Sequence, residues 1–208
     1  MKRREFLTSA ALGSLALIAS NTISAAKGMV TPWDWTKKNG LTNHMPKDEN
    51  PTDKEFEKYP RCTYCGMPRQ KWSHTRHLIQ YDDNSTEGTC SIHCASLSLG
   101  LNMDRNPKNI WVGDAGSDAK VKPLIKADEA HYVIDPSKPG TMASVSKWAY
   151  ADKAKADAAG GEKVVGFDDA LQAAYVDMGK NTLMIRKRRA EKRAHMMKKM
   201  KDMKSKKQ

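Results

Sequence analysis

Nowhere does this 208-residue chain offer the run of about 20 apolar residues that a bilayer-crossing helix needs. Its longest mostly apolar stretch, Leu7 to about Ala19, falls well short of that. The stretch follows "KRREFL" and precedes Ser24-Ala25-Ala26, so residues 1–26 are expected to be an export signal cleaved near Ala26, not an anchor. The paired Arg3 and Arg4 indicate the twin-arginine route and a periplasmic destination. Cysteine is also missing around that junction, the first being Cys62, so lipid attachment there is not expected.

A second absence is net charge in the middle of the chain. The formal charge of +12 suggests a nucleic-acid binder until it is mapped. Residues 186–208 carry twelve Lys or Arg against Glu191 and Asp202, a net +10, and the first five residues carry +2. Those two ends account for the whole excess, so no nucleic-acid partner is expected of the folded part. The tail reads as a solvated, mostly disordered extension, partly helical from Leu183 onward. Its basicity allows weak attraction to a membrane surface. Met196, Met197, Met200 and Met203, with His195, form an alternative soft-metal patch. Also missing is any recognisable nucleophile motif, so the chain is not read as an enzyme.

What remains is organised. Residues 27–58 have three prolines and few bulky apolar anchors (Trp33, Trp35, Phe56), which predicts an extended arm over the domain surface. Residues 59–180 are enough for one compact domain, with 181–208 as the basic Met- and Lys-rich tail. Inside the domain, strand signals near Leu78–Tyr81 and in "TEGTCS" flank a turn at Asp82–Ser85. A short helix follows with Ser91 as its N-cap and Gly100 as its end, then the strand "NIWVGD". A second round is expected from Leu124: strands at Leu124–Ile125 and His131–Ile134, then "SKWAY" and a helix stopped by Gly160-Gly161. The strand "EKVVGF" and a last helix opened by Asp168 or Asp169 complete it. The reading is an α+β fold of two related ββα-type units in one compact domain.

Four cysteines stand in two pairs, Cys62-x-x-Cys65 and Cys90-x₃-Cys94, separated by 24 residues. This spacing suits a structural zinc site or two disulfides. A thioredoxin-type motif fits poorly, because Gly66 and Pro68 stand where a helix should open. Met67 introduces a third option, since a thioether serves Cu(I) better than zinc, against the ordinary reading of methionine as a gap-filler in the core.

"CTYCGMP", "HYVIDPSKPGTM" and "KWAYADKAKADAAGGEKVVGFDDAL", in this order, resemble the NosL family of copper-binding accessory proteins in nitrous oxide reductase maturation. The resemblance covers about residues 60–178. It implies the two-unit α+β fold and a Cu(I) site in the exported compartment. It also implies copper donation to an apo-cuproenzyme such as nitrous oxide reductase, aided by a membrane maturation complex. Carried over by position, Cys65 and Met67 match the motif's sulfur donors, Cys62 its leading cysteine and Met142 the methionine of "GTM". Met67 and Met142 are expected to meet Cys65 across the two units. Family members are often tethered through an N-terminal cysteine that this chain lacks. Cys90, His93 and Cys94 go beyond a minimal copper site and suit a second metal, a disulfide or a broader transfer role. The competing reading is a zinc- or disulfide-stabilised periplasmic binding module with no transfer role.

Overall fold

The structure is a computed structural model that describes residues 44–205, together with Lys38 and Gly40. The expected signal and the first part of the arm lie outside the described residues.

Within residues 44–205, seven strands and four helices follow one another: α1 (Glu55–Lys58), β1 (His77–Tyr81), β2 (Thr86–Thr89), α2 (Ile92–Leu101), β3 (Pro107–Gly113), β4 (Leu124–Lys126), β5 (His131–Asp135), β6 (Ser146–Tyr150), α3 (Lys153–Ala158), β7 (Lys163–Val165) and α4 (Phe167–Ser205). They build two antiparallel sheets, ordered β2-β1-β3-β4 and β6-β5-β7. The expected duplication is visible: in each half a hairpin is followed by a helix, and the next strand pairs with the hairpin's first strand. β4 departs from expectation. It pairs with β3 and so closes the first sheet, although the sequence placed it at the start of the second round. Lys126, opposite Trp111 in that pairing, lays its ammonium over the indole ring at 4.5 Å.

One apolar core serves both sheets. Ile79, Tyr81, Ile110 and Val112 from the first meet Tyr132 and Ala149 from the second, with Ile92 and Ala95 of α2 and Phe167, Ala170 and Ala174 of α4 between them. The small alanines let α4 lie close, and the Tyr175 hydroxyl donates to the Ser96 carbonyl at 2.9 Å. His77 joins the halves: its Nδ1 donates to the Thr75 carbonyl at 3.0 Å, leaving Nε2 to accept from the Tyr132 hydroxyl at 3.2 Å. The Gly160-Gly161 pair has two separate causes. Gly160 takes φ +72 after α3, a region open to glycine at little cost, and a Cβ on Gly161 would lie 2.3 Å from Val133 Cγ1.

The arm from His44 onward is fastened down. Met45 enters the core, and Thr86 N–H donates to the Pro46 carbonyl and Asp48 N–H to the Asn84 carbonyl, both at 2.9 Å. This segment thus lies along the outer edge of β2. Farther on, Glu55 is buried between two guanidiniums, accepting from Arg69 at 2.8 Å and from Arg76 at 2.9 and 2.5 Å. The Phe56 ring covers Arg76 at 4.8 Å.

The tail is solvated, as expected, but it is helical to Ser205 where a mostly disordered, only partly helical extension was expected. α4 continues as one helix to Ser205, and from Thr182 to Met203 every side chain is exposed. Beyond Gly179 it has no glycine or proline and is rich in Lys, Arg and Met, all good helix formers. Its packed root removes the nucleation cost that keeps isolated helices marginal. No helix among the described residues is long and apolar enough to cross a membrane.

Candidate metal centre

The loop carrying Cys62 and Cys65 is a tight knuckle that follows from its sequence. Cys62 N–H donates to the Met67 carbonyl and Gly66 N–H to the Cys62 carbonyl, each at 2.9 Å. Gly66 turns the chain at φ +71, where a side chain would be strained. Arg61 clamps the turn by donating to the Gly66 carbonyl at 2.9 Å. Cys90 sits immediately after β2, and Cys94 in the first turn of α2, so strand and helix hold the second pair at fixed separation.

These elements bring all four sulfurs within 4.8 Å of one another. Cys65 and Cys90 are 3.4 Å apart, Cys90 and Cys94 3.8 Å. Four sulfurs held ~2.3 Å from a central ion would be ~3.8 Å apart, so the cage suits a tetrahedral soft or borderline cation. Cys62, Cys90 and Cys94 are buried and Cys65 is half-buried, so the cage opens on the Cys65 side. Met67, Tyr64 and Trp72 pack against it.

The four thiols are not equivalent. The Cys62 thiol is pulled below the usual range because Cys90 and Cys94 donate to it, with Cys65 and Tyr64 backbone N–H groups adding to the effect against its burial. Cys90 is pushed up chiefly because Cys62 accepts its proton, and Cys94 is pushed up for the same reason, with Cys90 contributing. Cysteine holds a metal as thiolate, so the protons on Cys90 and Cys94 must leave as a metal enters.

The remaining candidates are placed differently. His93, next to Cys94, is half-buried, and its Nδ1 has no hydrogen-bond partner among the described residues. Burial lowers its pKa, with the Lys147 charge acting in the same direction. Met142 lies at the surface, 45% exposed, in the left-handed region at φ +64. It occupies a turn closed by hydrogen bonds between Gly140 and Ala143 at 3.0 and 3.3 Å. Its neighbour Thr141 shares a 3.0 Å hydrogen bond with the Thr75 hydroxyl, which donates to the Cys90 carbonyl at 2.8 Å. The "GTM" loop of the second half is thus tied to the backbone of a cage residue in the first.

Sequence reasoning missed the groups behind the cage. The Tyr64 hydroxyl, between the first two cysteines, donates to Glu87 Oε1 at 2.9 Å, and the Ser98 hydroxyl donates to the same oxygen. Tyr81 and Ser98 hydroxyls are 2.7 Å apart behind them. Burial raises the Glu87 pKa. Only Tyr64 carried a signal, its place inside the Cys-x-x-Cys pair.

The profile of the NosL family matches residues 53–176. A solved structure, the copper chaperone NosL from Shewanella denitrificans, is 23% identical. The alignment covers 59% of this chain and 95% of that one, with a TM-score of 0.45. No curated protein matches. With more than half its length matched by the profile, the chain belongs to the NosL family.

Proposed function

We propose that the protein is an exported Cu(I) metallochaperone and not an enzyme. It would reach the periplasm by the twin-arginine route and deliver copper to an apo-cuproenzyme such as nitrous oxide reductase through its membrane maturation complex. The observation that carries this reading is the set of four cysteine sulfurs within 4.8 Å of one another, beside Met67, in a NosL-family chain. Thiolate and thioether are the ligands Cu(I) prefers. Cys62, Cys65, Met67 and Met142 are the proposed ligands, with Cys90 and Cys94 closing the cage and His93 beside it. Cys65, the least buried cysteine, is where an acceptor's ligand would enter, displacing the protein's sulfurs one at a time.

A second reading is favoured by the same closure. Four thiolates at tetrahedral spacing also make a structural zinc site, which would stabilise the knuckle and transfer nothing. Anaerobic competition separates the two. Reduced protein loaded with one Cu(I) and one Zn(II) is challenged with chelators specific for each. Retention of copper and loss of zinc is expected; copper lost to a weak Cu(I) chelator while zinc stays would overturn the copper reading.

A further inference from the structure

We infer that the far end of α4 carries a second, weaker Cu(I) site, formed by thioethers alone and centred on Met200. The inference rests on the copper reading above for its choice of ion.

The observations are local to the helix. Between Arg186 and Gln208, every apolar residue larger than alanine is methionine: Met196, Met197, Met200 and Met203. A face meant for a membrane or a generic apolar partner would use Leu, Ile, Val or aromatic residues as readily; restriction to one side chain points to its sulfur. Because α4 is helical to Ser205, Met196 and Met197 stand one turn before Met200, and Met203 one turn after it. Side chains at such spacing have Cβ atoms about 5–6 Å apart, which flexible methionines can close. Long side chains on a helix generally lean toward its N-terminus, a tendency that would bring Met200 toward Met196 and Met197, and Met203 toward Met200. All four are about half exposed, at 54, 57, 49 and 54% in chain order, so an ion can reach them. His195 points to the opposite side of the helix and is not part of the set.

The surrounding charge sets the character of the site. Thioethers are neutral, so nothing in the set offsets the repulsion of Arg189, Arg193, Lys199 and Lys201. A monovalent soft ion tolerates this better than a divalent one, and hard or borderline divalent ions gain little from thioethers in any case. The site should therefore select Cu(I), hold it loosely and release it readily. Ala174, the last core residue of α4, lies 26 residues before Met200, roughly 39 Å along the helix. The cluster is therefore separate from the cysteine cage and can take up copper independently.

Full-length reduced protein titrated anaerobically with Cu(I) against a chromogenic Cu(I) chelator should show two equivalents, one tight and one weak. Replacing all four residues (M196L, M197L, M200L and M203L) preserves volume and helix propensity, which circular dichroism would verify. The variant should lose the weak equivalent and keep the tight one. In protein with ¹³C-methyl-labelled methionine, Ag(I) as a diamagnetic probe should shift the Met200 methyl signal in one saturable step. A quadruple variant with the wild-type titration curve, or a Met200 signal unmoved by Ag(I), overturns the site. The tight equivalent scores the cysteine cage separately, since its loss or retention does not depend on these four residues.

Discussion

Met142 shows how a single residue can be costly to the fold and still be retained. A side chain at φ +64 is disfavoured by about 1–2 kcal/mol relative to the right-handed regions, and nothing in the turn between Gly140 and Ala143 requires methionine there. Met142→Gly should therefore raise the melting temperature by a few degrees, corresponding to about 1 kcal/mol. If Met142 is a copper ligand, the same variant should weaken Cu(I) binding, so thermal unfolding and chelator competition would move in opposite directions. A second prediction at this scale concerns protons. With Cys62 the readily ionised thiol and the pKa values of Cys90 and Cys94 pushed up, loading the cage displaces protons from the latter two. Affinity should then rise with pH, by up to about tenfold per unit for each proton released. A titration at pH 6, 7 and 8 that gives one affinity would contradict this.

Among the elements, β1 pairs on both sides, with β2 and β3, and its His77 ties the two halves together through Tyr132. Burial lowers the His77 pKa to about 3, far below its ordinary value. Between that pH and about 6.5 the unfolded chain binds one more proton at this residue than the folded chain does. Stability is therefore lost as pH falls through this window, by up to about 1.4 kcal/mol per unit. His77→Gln should flatten this acid dependence in urea unfolding between pH 4 and 6.5, whatever its effect at pH 7. Much of the element plan was legible in the sequence, because alternating and helical apolar patterns are local. "HLIQY", "HYVID" and "SKWAY" became strands, and the two cysteine pairs announced themselves by spacing. Partner choice was less visible. β4 spans only Leu124–Lys126, too short to reveal which sheet it completes, and the open edge of β3 decided it. Glu55 with Arg69 and Arg76 was not legible at all, since partners 14 and 21 residues away leave no periodic trace. Glu55→Gln should cost about 3–5 kcal/mol, because it leaves two buried guanidiniums facing each other without a counter-charge. Chemical denaturation would measure the loss.

Across the whole molecule, the charge that dominates the composition lies on a helix that contributes little to the core after Asp177. Asp177 itself pairs with buried Lys147. Shortening the chain after Arg186 should leave the melting temperature within a degree or two, while removing the methionine cluster. The opposite end behaves differently. Residues 46–48 run beside β2, and Thr63 N–H donates to the Gly88 carbonyl farther along the same strand at 3.3 Å. Arm and knuckle together cap a strand edge that would otherwise present unpaired backbone groups to other molecules. The arm is thus a guard against self-association: a chain trimmed to begin at Asn50, which keeps Glu55 between its two arginines, should form sheet-mediated oligomers, visible as early elution on size exclusion, before any change in metal affinity is considered.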